Sequence, residues 1–121
     1  MVVWTSYERE WNGLKEKLDG SLTWRSFPWP MMKKPSEPED ITANGIGALV
    51  LSTHHSNDKS NRDRLKEQLL RWHPDRFENR WLKKVSEKEQ EKVRNGAGQV
   101  VRALNELMTR ENNLSSGGGL F

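Results

Sequence analysis

Apolar positions recur at helical spacing in three stretches of the chain. Trp4, Tyr7, Trp11, Leu14 and Leu18 are spaced 3, 4, 3 and 4, one stripe of a first helix that Asp19-Gly20 is expected to close. Leu65, Leu69 and Trp72 form the inner stripe of a helix over 60–72, with Arg62, Arg64, Lys66 and Arg71 directed elsewhere. Val93, Ala97, Val100, Leu104 and Met108 recur at 4, 3, 4 and 4, widened by Val101 and Leu107, in a helix over 86–108. Ser86 and Glu89 have the spacing of a capping box at its start, and Glu87, Glu89 and Glu91 suit the helix dipole there. Gly96 and Gly98 are discordant inside this helix and are expected to let another element approach closely.

The intervening stretches read differently. "SLTWRSFPWPMMKKPSEPED" holds four of the five prolines, which remove amide donors and exclude a long helix. It predicts an extended segment laying Trp24, Phe27 and Trp29 on a neighbouring surface, then a polar loop over 33–40. A shorter helix is expected over 42–53, with Thr42 as N-cap and Ile41 and Ile46 as a hydrophobic staple. Gly45 and Gly47 weaken it by up to about 1 kcal/mol each relative to alanine. "STHHSNDKSN" reads as a loop rich in cap-forming residues, and "NNLSSGGGLF" as a flexible tail over 112–121.

Taken together these elements predict an all-α protein. Residues 1–40 supply a helix and an aromatic, proline-rich segment that pack on a helical domain over 41–111. The helices over 60–72 and 86–108 pair through Leu65, Leu69, Val93, Val100 and Leu104, and Trp72, Phe77 and Trp81 are expected to be largely buried.

Composition narrows the function. Of 121 residues, 33% are hydrophobic and 31% charged, so the core must be modest, and six tryptophans compensate with large rings. With no cysteine there is no disulfide, thiolate nucleophile or Cys-based zinc site, which fits a reducing, intracellular setting in the nucleus or cytoplasm. No apolar run approaches the roughly 20 residues of a membrane span, and "MVVWTSYERE" is not expected to be a signal peptide. The net charge of +3 is unevenly placed: nine Lys/Arg face five Asp/Glu between Asp58 and Lys84. That basic region could face an acidic partner.

"LLRWHPDRF" carries the sharpest motif, His73-Pro74-Asp75. Pro74 ends the preceding helix because the residue before a proline avoids the helical region. Asp75 is expected to accept hydrogen bonds from backbone amides or from Arg71 or Arg76, leaving His73 projecting. "RLKEQLLRW", His-Pro-Asp and then "VVRALNELM" resemble the J-domain of the DnaJ co-chaperone family. More closely, "LRWHPDRF", a Ser-x-x-Glu and "VVRALNEL" are similar to the J-like region of NF-kappa-B inhibitor-like proteins and of related uncharacterised fungal proteins, whose pattern the "PWP" and "DIT" also fit.

The resemblance implies a J-domain-like antiparallel hairpin with the motif at its tip. It also implies a non-enzymatic module docking on a DnaK-type chaperone and stimulating its ATPase. The partner-binding residues would then be His73, Pro74, Asp75, Arg62, Lys66, Arg71 and Arg76. "ITANGIGALVL" stands where the tyrosine-and-leucine signature usually opens a J-domain.

The second reading is a nucleic-acid-binding module, with Arg71, Arg76, Arg80, Lys83 and Lys84 on phosphates and Trp81 stacking on a base. A third is a protein-interaction scaffold without chaperone function. No metal, cofactor or small-molecule substrate is expected: His54, His55 and His73 lack metal-ligand spacing, and no phosphate loop is present.

Overall fold

The computed structural model describes residues 1–120, with side chains described for residues 1–114. It is all-α: α1 (Val2–Gly13), α2 (Ala43–Val50), α3 (Asn61–Trp72), α4 (Pro74–Arg80) and α5 (Gln90–Leu120), joined by short 3-10 turns. The segment over 112–121, expected as a flexible tail, continues α5 as helix to Leu120; the side chains of 115–120 and all of Phe121 lie outside the described residues.

The caps of α2 and α3 follow from local chemistry. Thr42 Oγ1 accepts from the amide of Gly45 at 3.0 Å, and Ser60 Oγ from that of Asp63 at 3.1 Å. Ile41 and Ile46, the expected staple, are both buried. The helix ends at Val50 rather than 53. α5 packs against both α2 and α3. Val93, Val100 and Leu104 are fully buried on it, and Leu65 and Trp72 on α3; Leu69 is only partly buried at the edge of that stripe.

Three expectations are corrected. α1 stops at Gly13, a weak helix former, and tightens into a 3-10 turn over Leu14–Glu16; Leu18 is 78% exposed and leaves the stripe. Gly20, with φ of 76°, then turns the chain instead of closing the helix. The Ser86 capping box does not form: a 3-10 turn occupies Glu87–Glu89, Ser86 makes no side-chain cap, and Glu89 Oε1 accepts from the Trp24 amide at 3.2 Å. Arg64, expected to point outward, is buried. Its guanidinium donates to the carbonyls of Ser52 and Ser56 and to Asn57 Oδ1, which fastens the α2–α3 loop.

The segment after Gly20 is hydrogen-bonded to the connection between α4 and α5. Leu22 pairs with Val85 in a parallel bridge, its amide donating to the Lys84 carbonyl at 2.8 Å and its carbonyl accepting from Ser86 at 2.7 Å. This strap delivers Trp24, Phe27 and Trp29 to the core, where Trp24 and Trp29 stack 4.2 Å apart and Trp29 stacks on Trp72 at 5.3 Å. The expected laying-down of these rings is therefore observed, and the ring nitrogens find acceptors in Pro35 O and Trp24 O.

Gly96 explains itself here. A Cβ on it would stand 2.7 Å from the Trp29 ring and at least as close to Trp24. Alanine would add helix propensity, up to about 1 kcal/mol, but the overpacking penalty of about 1–3 kcal/mol should win. Gly96→Ala is thus expected to lower stability by urea denaturation. A gain in stability would mean that the indoles are not seated against α5.

Candidate functional site

The His-Pro-Asp motif is a corner between two helices. His73 ends α3 with φ −52° and ψ 131°, the extended conformation that a following proline favours. Pro74 occupies the first turn of α4, where its missing N–H and fixed φ suit a helix start. His73 Nδ1 accepts from the Asp75 amide at 3.3 Å, so His73 is the N-cap of α4 and, when neutral, carries its proton on Nε2. Capping by Asp75 was expected and is corrected. Its carboxylate takes no hydrogen bond from Arg71, Arg76 or any other described residue, and stands free in the first turn of α4. His73, Pro74, Asp75 and Arg76 are all exposed.

The corner is held from beneath. Trp72 and Phe77, one on each side of the motif, are at most 1% exposed and stack 5.4 Å apart. Trp72 Nε1 donates to Tyr7 Oη at 3.1 Å, and Tyr7 donates to Gln68 Oε1 at 2.6 Å. A small apolar cavity of about 150 Å3 lies beside Pro74, lined by Trp72, Phe77, Ala97 and Gly98. This cavity places the end of α3 beside the first turns of α5. The expected burial of Trp72, Phe77 and Trp81 is observed.

The predicted partner-binding cations divide. Arg62 and Lys66 are exposed and in no ion pair among the described residues. With Leu70, which is 59% exposed, they form a line at spacings 4 and 4 that reaches His73 three residues on. Arg71 does not join them. Its guanidinium makes a two-pronged bond to Glu8 at 2.9 and 3.0 Å and lies 5.3 Å from the Trp11 ring centre, tying α3 to α1. Arg71 is therefore a fastening between helices rather than a free contact for a partner.

The predicted phosphate contacts gather around α4 and the chain that follows it. Arg71, Arg76 and Arg80 line one cleft of about 330 Å3; Arg80, Lys83 and Lys84 line a second of about 300 Å3. Lys15 lines both, a residue that the sequence reading missed because it lies far away in the chain. Lys84 is half-buried and donates to the carbonyls of Lys15 and Lys17. Trp81 is only 8% exposed, with its ring against Trp11 at 5.6 Å, so base stacking on it is corrected. His55, read as a loop residue, is also buried: it stacks on Trp4 at 4.0 Å, and its Nε2 lies 2.6 Å from the Leu49 carbonyl.

The family model of the NF-kappa-B inhibitor-like protein 1 C-terminal domain matches residues 45–112, more than half of the chain. The chain belongs to that family. No curated protein and no solved structure matches it. The matched span contains α3, the His-Pro-Asp corner, α4 and most of α5, whereas the aromatic strap and α1 fall outside it.

Tyr7 supplies a check on the support under the corner, because it is the only tyrosine. Burial pushes its phenol above the ordinary value of 10.0, against the opposing pull of the Arg71 charge and the hydrogen bond from Trp72. An unfolded tyrosine ionises near about pH 10 while the folded phenol still holds its proton. This part of the stability is therefore whole below about pH 10 and is lost as pH rises through the folded value. Tyrosinate absorbance is expected to appear only above pH 10 and together with unfolding. An ordinary titration of the intact fold would show that Tyr7 is not buried as described.

Proposed function

We propose that this chain is a J-domain-like, non-enzymatic module of the nucleus or cytoplasm that docks on a DnaK-type chaperone and stimulates its ATP hydrolysis. The observation that carries the reading is the exposed His73-Pro74-Asp75 corner, clamped from below by Trp72 and Phe77. A recognition corner needs side chains that are free in a backbone that is not, since ordering a loop on binding would subtract from affinity. Here the ring of His73 and the carboxylate of Asp75 face outward from a corner whose two flanking aromatic residues belong to the core.

The line of Arg62, Lys66 and Leu70 extends this surface along α3. Two cations around one exposed aliphatic side chain suit an acidic partner surface, and such charges act mainly on the rate of encounter. Arg76 stands on the other side of the corner, also exposed. The same surface without ATPase stimulation would leave a protein-interaction scaffold, which the test below distinguishes.

In single-turnover ATP hydrolysis by a DnaK-type chaperone, the native chain is expected to raise the rate, and His73→Gln to abolish the rise. His73 caps α4 through Nδ1, so His73→Gln is expected to cost up to about 1 kcal/mol, and a thermal melt of the variant separates loss of stimulation from loss of the fold. Absence of stimulation by the native chain, across chaperones of its own compartment, would overturn the co-chaperone reading.

A further inference from the structure

Apart from Arg76, the cations beyond the corner are left unused by that reading, and their arrangement is not that of an ordinary solvated surface. The two clefts flanking α4 adjoin, sharing Lys15, Arg80 and Trp81 as common wall. Four exposed cations, Lys15, Arg76, Arg80 and Lys83, reach them from three separate elements and make no ion pair among the described residues. The only carboxylates lining the two clefts are Glu67 and Asp19, and Glu67 is already paired with Lys59 at 2.7 Å. Trp11 and Trp81 line them but are buried, with Trp81 packed against Trp11.

We propose that this double cleft binds the phosphodiester backbone of a nucleic acid, without reading its bases. Arg76 and Arg80 are four residues apart and so lie on one face of α4, where two planar guanidinium groups can each take a phosphate in two-pronged fashion. Lys15 and Lys83 extend the positive wall into the second cleft, so the charge forms a track rather than a point, as a linear chain of phosphates requires. Because Trp11 and Trp81 are turned into the core, stacking cannot contribute, and the contact is to the backbone alone. The site adjoins the docking surface, with Leu70 and Arg76 common to both, but does not include Arg62, Lys66 or His73.

The test measures binding of labelled single-stranded and duplex oligonucleotides of unrelated sequences by fluorescence anisotropy, across salt concentrations. Four neutralised phosphates give affinity that falls about a hundredfold between about 50 and 200 mM salt, alike for every sequence. The double variant Arg80→Ala, Lys83→Ala is expected to lower the salt dependence by about two phosphate equivalents and the affinity at least about tenfold, whereas His73→Gln leaves both unchanged. All four side chains are exposed, so circular dichroism should be the same for every variant. No binding at low salt, binding untouched by the double variant, or a strong sequence preference would each overturn the proposal. Competition by polyglutamate as effective as by oligonucleotide would also overturn it, by assigning the cleft to acidic proteins.

Discussion

Everything in this fold depends on the burial of Trp72. It closes α3, lies fully out of solvent and is touched from three directions: by Trp11 edge-on at 5.0 Å, by Trp29 at 5.3 Å and by Phe77 at 5.4 Å. Each of those rings arrives on a different element, α1, the strap and α4. A ring of this size next to an exposed corner would leave a large apolar patch if any of the three were missing. The molecule thus solves the problem of a small core by crossing aromatic residues from distant parts of the chain over one position. The indole N–H is satisfied at Tyr7, whose own proton goes to Gln68, so the cluster carries a closed polar chain through its centre.

The exposed corner and the basic clefts follow from that burial. His73, Pro74 and Asp75 are displayed because their neighbours on both sides are anchored, and the anchoring reaches back to Arg71 and Glu8 on α1. The strap that supplies Trp24 and Trp29 also fixes the course of the chain after α4, through Leu22 and Val85, and so sets where Lys83 and Lys84 stand. One set of interactions therefore positions both the corner and the basic clefts. The family match begins only at residue 45, so the rings that cover Trp72 from α1 and the strap come from outside the family's own span.

Much of this was legible in the sequence because apolar spacing reports directly on burial. The stripes of α3 and α5, the Thr42 cap, the packing of the aromatic segment and the close approach at Gly96 all follow from local pattern. What pattern could not show was the fate of polar groups. Arg64 and Arg71 look like surface cations on an amphipathic helix, yet one fastens the preceding loop and the other fastens α1. Ser86 and Glu89 have the spacing of a capping box, but Glu89 finds the Trp24 amide instead. His55 and Lys15 joined their sites only through tertiary packing, with partners or neighbours remote in the chain.

The central claim is that the N-terminal 40 residues and the family helices form one cooperative unit around Trp72. Urea unfolding followed in parallel by tryptophan emission and by far-ultraviolet circular dichroism tests it directly. Five of the six tryptophans lie in the aromatic cluster, while the helical signal comes mainly from α3 and α5. The account predicts coincident transitions with one midpoint. An emission change that precedes the loss of helix would contradict it, showing that the aromatic cover lifts from helices that stand without it.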